Sequence, residues 1–142
     1  MGSLIKQLVE YGILGILGVM SLVIVYIAVE RWLYYKALNV SKFGSKEELE
    51  FALTKNLTLL YTIGANAVYV GLLGTVLGII GTFAAIGEGG AIDAKAIMSH
   101  LSYTLIATAA GLVVAIPSMV FYNALVRTGD RLMLEWGQSR GA

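Results

Sequence analysis

The sequence holds 142 residues and contains no cysteine, a single proline and a single histidine. Without cysteine there is no disulfide framework, no thiol nucleophile and no cysteine-ligated metal or cluster. One histidine does not build a histidine-rich metal site. Charge is also scarce. Asp, Glu, Lys and Arg make up 13% of the chain, where an ordinary soluble domain carries roughly 25%. Ten Lys and Arg nearly cancel nine Asp and Glu. This balance excludes a disordered tail, a basic nucleic-acid-binding domain and almost any small soluble enzyme. What the chain does have is apolar surface: 58% hydrophobic residues and a mean hydropathy of +0.79. The class is an all-α integral membrane protein.

Three apolar runs define the spans. The first, Ile13 to Val29, carries no charge and at about 17 residues is near the lower limit for crossing a hydrocarbon core. Tyr11, Tyr26, Trp32, Tyr34 and Tyr35 lie at or beyond its ends, where aromatic belts form. A secretory signal peptide is the alternative, but the stretch ahead of the run carries Glu10 as well as Lys6, and no small-x-small cleavage site precedes Glu30-Arg31. The second run, Tyr61 to Ile86, is about 26 uncharged residues, and the third, Ala96 to Val126, about 31, or ~46 Å of helix, so it should tilt or project into water. Pro117 falls inside it and should kink it. Between the first and second spans, Ser45 with Glu48 reads as a capping box, and Leu49, Leu53 and Leu57, with Phe51 and Ala52, give the helix that follows an apolar side. With no proline there, helical periodicity is expected to run unbroken into the second span. The expected division is a span at about 12–30, a polar segment at 31–60, spans at 61–86 and 96–126, an 87–95 turn whose Asp93 caps the third helix, and a tail from 127 to 142. Arg31, Lys36, Lys42, Lys46 and Lys55, with Arg127, Arg131 and Arg140, put the middle segment and C-terminus in the cytoplasm and the N-terminus and the turn outside.

In lipid, helices associate through close packing and polar contacts. The second run carries two overlapping small-residue stripes, Gly71-Thr75-Gly78-Thr82 and Gly74-Gly78-Gly81. The third places His100, Thr104, Thr108, Gly111, Ala115 and Ser118 on one helical face. These stripes are either packing seams, with hydroxyls bonded to their own helix, or a shared functional surface. Neither long run contains Asp, Glu, Lys or Arg, although ion carriers place ionisable groups at membrane depth. A partner chain must therefore supply the titratable group in any ion translocation. No catalytic constellation or cofactor site is present: Gly71-Leu72-Leu73-Gly74-Thr75 lacks the lysine of a phosphate loop, and Gly87-Glu88-Gly89-Gly90 lacks the third glycine and the strand of a dinucleotide site.

Gly71-Leu72-Leu73-Gly74-Thr75-Val76-Leu77-Gly78-Ile79, followed by Ala107-Thr108-Ala109-Ala110-Gly111-Leu112-Val113-Val114-Ala115-Ile116-Pro117 and Phe121-Tyr122-Asn123, resembles the second- and third-helix signatures of the ExbB/TolQ/MotA proton-channel family. The resemblance is strong from Asn66 to Asn123 and favours a compact ExbB. It implies a bacterial inner-membrane subunit forming a homopentamer in the lipid around an ExbD-like single-span partner, which brings the essential aspartate. Proton flow would then work a TonB-like protein for outer-membrane uptake, with no nucleic acid involved. Thr75 and Thr108 match the family's inward-facing threonines. His100, Tyr103, Thr104, Thr82 and Ser118 complete a possible polar face, and Gly71, Gly74, Gly78, Gly111 and Pro117 would serve helix packing. Many relatives have a glutamate five residues before the third-helix threonine, where this chain has Tyr103. Rival readings are a TolQ-like envelope energiser, a self-sufficient ion channel and a membrane scaffold.

Overall fold

The computed structural model describes residues 2–89 and 93–141. They form helix α1 (Gly2–Ala37), a 3₁₀ turn (Val40–Lys42), and helices α2 (Lys46–Thr54), α3 (Leu57–Gly87) and α4 (Ala94–Ser139), with no strand among the described residues. Three stretches, Gln7–Ala37, Lys46–Gly87 and Ala94–Ser139, are long and apolar enough to cross a membrane. The 46 residues of α4 make ~69 Å of helix, more than twice a ~30 Å hydrocarbon core, so α4 must extend well beyond it. It continues as one helix through Pro117, whose ring is exposed. Asp93 caps α4, its side chain accepting from the Lys95 N–H at 3.2 Å. Of the expected outer turn, Gly90, Ala91 and Ile92 lie outside the described residues.

Two expectations about α2 need correction. Ser45 does cap it, accepting from the Glu48 N–H at 3.1 Å. The returning arm differs from a capping box: the Glu48 carboxylate accepts from the Gly44 amide, one residue ahead of the cap, at 3.4 Å. Nor does the helix run on into the second span. It breaks at Lys55 and Asn56, where Asn56 takes φ 67°, ψ −6°. Asparagine tolerates this left-handed conformation, so no proline or glycine is needed to stop the helix. Side chains of α1 hold the break in place. Arg31 Nη1 donates to the Ala52 carbonyl at 3.0 Å and the Tyr35 hydroxyl to the Leu53 carbonyl. Carbonyls in a last helical turn lack partners within their own helix, and here a neighbouring helix supplies them. Asn56→Ala should destabilise the fold by about 1 kcal/mol, while Asn56→Gly leaves it unchanged or slightly firmer. Thermal unfolding of the two variants checks this.

Packing changes character along the bundle. At the charge-rich end, Ile24, Ile27, Tyr35, Leu49, Leu53, Leu57, Leu60, Leu125 and Leu132 form a core of large side chains. Leu49, Leu53 and Leu57 face it as their spacing predicts, but Phe51 is 80% exposed, because two residues from Leu49 is more than half a turn round the helix. Trp136 Nε1 donates to the Phe43 carbonyl at 3.0 Å, tying α4 to the linker. Toward the other end the core thins to Ile13, Leu17, Ala67 and Ala115, and small residues bring the backbones together. Large apolar side chains such as Leu22, Phe83, Val113 and Ile116 point outward there, as they do on a surface meeting lipid or other chains.

Candidate functional site

The site is the crossing of α3 and α4. At its centre two glycines face each other. A Cβ on Gly71 would lie 2.6 Å from the Ala107 carbonyl oxygen and 3.1 Å from Gly111 Cα, and one on Gly111 would lie 2.7 Å from the Ala67 carbonyl oxygen and 3.1 Å from Gly71 Cα. Toward α1's N-terminal end, Gly74 sits where a Cβ would come 2.9 Å from both Ala107 Cβ and Ile13 Cγ2, so three helices meet there. Gly78 receives Thr104, whose Oγ1 would be 2.5 Å from such an atom. Toward the opposite end Gly64 receives Ser118. The antiparallel seam therefore runs Gly64, Ala67, Gly71, Gly74 and Gly78 on α3 against Ser118, Ala115, Gly111, Ala107 and Thr104 on α4. Sequence reasoning stopped the α3 stripe at Gly71. Gly64 and Ala67 continue its three- and four-residue steps and would have been found by carrying that period back. Gly81 shares the Gly74–Gly78 spacing but takes no part in the α3–α4 seam, since a Cβ there would meet nothing within 4 Å.

Within this seam the Thr75 and Thr108 hydroxyls are hydrogen-bonded to each other. Thr75 Oγ1 also lies 3.2 Å from the Thr104 carbonyl and 3.4 Å from that of Gly71. Thr75 is buried and Thr108 half-buried. Each hydroxyl can donate and accept, so the pair can pass a proton along but cannot hold a charge. Nothing on α3 can hold one either, because its 31 residues include no Asp, Glu, Lys, Arg or His.

The other predicted positions divide. Thr82 is buried and donates to the Gly78 carbonyl at 3.0 Å, and Ser118 is buried and donates to Ala115 at 2.7 Å. Both hydroxyls thus return to their own helix. Thr104 is buried on the seam, but its Oγ1 has no partner. His100 is half-buried one turn further along the same face. Tyr103 and Pro117 are exposed. The structure thus brings together Thr75, Thr104, Thr108, Gly71, Gly74, Gly78 and Gly111, with Ser118 at the far end of the seam. No group of three His, Cys, Asp or Glu among the described residues is placed to hold a metal ion.

The profile of the MotA/TolQ/ExbB proton channel family matches residues 37–138, which include the whole α3–α4 crossing. Among similar proteins, the biopolymer transport protein ExbB of Aquifex aeolicus is 49% identical over 137 residues, covering 96% of this chain and 93% of its own length. An ExbB-like biopolymer transport protein of Helicobacter pylori is 48% identical over 131 residues, covering 92% of this chain and 87% of its own. The ExbB of Neisseria gonorrhoeae is 45% identical over 79 residues, 56% of this chain but 36% of its own length. With the threonine pair, the glycine seam and three apolar spans in place, the chain belongs to the MotA/TolQ/ExbB proton channel family.

Proposed function

We propose that the chain is an ExbB-type energiser subunit of a bacterial inner membrane. It assembles as a pentameric ring around an ExbD-like helix and couples proton flow to work on a TonB-like protein for outer-membrane uptake. The observation that carries this reading is the hydrogen-bonded Thr75–Thr108 pair, set between helices with no Asp, Glu, Lys or Arg at residues 61–86 or 96–126. A hydroxyl relay without a carboxylate at membrane depth needs one from a partner, and an aspartate on a central helix fits that need. In this reading the chain crosses the membrane at about 12–30, 61–86 and 96–126, with the N-terminus periplasmic and the C-terminus cytoplasmic. This orientation puts the Arg31–Lys55 segment and the tail arginines inside.

The test replaces both hydroxyls at once. Thr75→Val with Thr108→Val keeps volume and leaves neither hydroxyl unpaired, so the subunit should still fold. It should still form a ring with its partner, read as native mass in detergent. Proton-driven uptake should fall by about a hundredfold or more. Uptake at the parental rate in the double variant would make the pair a packing contact and end the reading.

A further inference from the structure

We propose that α2 and α4 carry the two halves of a subunit contact outside the membrane: the Phe51 face of one copy docks on the Leu134 face of the next, head to tail around the ring. The inference rests on the ring reading above and adds to it the surface that joins neighbours in the cytoplasm. Phe51 and Leu134 are 80% and 69% exposed, and they lie in the two charge-rich parts of the chain, residues 31–60 and the tail from 127. A lone exposed apolar side chain is ordinary. What sets these two apart is the charge around them and the direction each one faces.

Glu47 and Glu48 are exposed one turn before Phe51 and make its face acidic. Lys55, one turn beyond, lies close enough to Glu30 of α1 to attract it. Arg131 one turn before Leu134 and Arg127 two turns before it are exposed and make that face basic. Asp130 is also a turn from Leu134, but on the flank toward α2, where it lines a pocket with Tyr35 and Glu50. Each face is therefore an apolar centre with a charged rim, and the two rims have opposite signs. Their contact would bury the centres and pair the rims. The acidic rim also selects against lipid, because the anionic inner leaflet repels Glu47 and Glu48.

The fold sets the two faces on opposite sides of the subunit. Leu53 of α2 packs toward Gly129 of α4, where a Cβ would lie 3.9 Å from Leu53 Cβ. At about 100° of turn per residue, Phe51 lies about 160° round α2 from Leu53. By the same measure Arg127, Arg131 and Leu134 lie about 140° to 160° round α4 from Gly129. Within one copy the faces point apart and cannot meet. Unlike, complementary faces on opposite sides associate head to tail, the type of interface that generates a ring. The basic face is also continuous with the membrane part of α4. Steps of seven lead from Leu134 through Arg127 to Val120 and Val113, all exposed, so one neighbour can cover a single line of side chains from the lipid into the cytoplasm.

Two measurements on the full subunit assembled with its partner test this. The chain lacks cysteine, so introduced thiols are its only ones, and both positions are exposed enough to change without disturbing the fold. Phe51→Cys with Leu134→Cys, treated with a short bifunctional maleimide, should give a ladder of covalent oligomers on a denaturing gel, ending at the size of the ring. Neither single variant should link to itself. In the second measurement, Glu47→Arg sets like charges against each other at every contact, so the fraction of subunits in rings at low salt should fall about tenfold, and by less in added salt. Adding Arg131→Glu should restore the rings. Native mass of the unlinked parental protein separates the two possible failures. A parental ring whose double-cysteine variant gives no ladder overturns the docking and leaves the ring reading standing, whereas a parental protein that forms no ring overturns both. Phe51→Cys that links to its own kind, or to the partner chain, shows a different occupant and overturns the docking. So does a Glu47→Arg variant that assembles like the parent, or one that Arg131→Glu does not rescue.

Discussion

Gly71→Ala should prevent the normal docking of α3 on α4, and Gly111→Ala should do the same from the other side. In each case the new methyl meets backbone: the Ala107 carbonyl oxygen at 2.6 Å, or that of Ala67 at 2.7 Å. A backbone carbonyl cannot swing aside as the end of a flexible side chain can, so the helices must part by roughly an ångström to restore contact distances of about 3.5 Å. Parting them stretches the Thr75–Thr108 hydrogen bond and loosens Gly74 from Ile13. Each variant should cost about 3 kcal/mol, at the upper end for overpacking, read as loss of the folded subunit in detergent. The two sites share one obstruction, since each Cβ would also lie 3.1 Å from the other glycine's Cα. The double variant should therefore cost clearly less than the sum of the singles. Gly81→Ala on the same helix, with nothing within 4 Å, should be neutral or slightly stabilising. Equal tolerance of Ala at 71 and 81 would mean that the crossing is not a backbone contact.

Arg31→Met is the second large effect. Arg31 is 2% exposed, yet each of its three guanidinium nitrogens has an acceptor. Nε and Nη2 hold the Glu30 carboxylate at 2.5 and 2.6 Å, Nη1 holds the Ala52 carbonyl at 3.0 Å, and the charge lies 4.3 Å from the Tyr34 ring centroid. Methionine preserves the packing stem but removes every one of these contacts. Glu30 is 32% exposed and can turn to water, which softens the penalty of an orphaned buried charge. The loss should be about 2 kcal/mol, from the stranded Ala52 carbonyl and the missing cation–π contact. Arg31→Lys should recover only part of it, because an ammonium cannot grip two acceptors in a fork. Hydrogen exchange gives the local reading: α2 amides should open faster in Arg31→Met, with the Gly71–Gly111 seam unchanged. Unaltered exchange in α2 would show that Tyr35 alone secures it.

The spans and the seam were largely legible in the sequence. Uncharged runs and small residues at three- and four-residue steps are direct consequences of lipid as solvent, and they put Thr75 and Thr108 each on a small-residue stripe of its own helix. What escaped was set by contacts distant in sequence. Arg31 reads as one more cytoplasmic charge, and nothing in its neighbours announces that its acceptor is a carbonyl 21 residues on. The break at Asn56 hides for a related reason. A single left-handed residue leaves no compositional mark, and the carbonyls just before it are steadied by another helix. Glu10 reads as part of a polar lead-in to the first span, because only the fold reveals that one of its oxygens is buried without a hydrogen-bond partner.

The clasp of α1 on α2 also bears on how the chain is made. Tyr35 and Arg31 reach acceptors only 18 and 21 residues downstream, and loops that short close in far less than a millisecond. The bonds require nothing from α3 or α4, so they can form while the ribosome is still synthesising the second span. Asn56 then sits at the end of an already anchored helix, and the next hydrophobic segment enters the translocon from a fixed departure point instead of a loose tether.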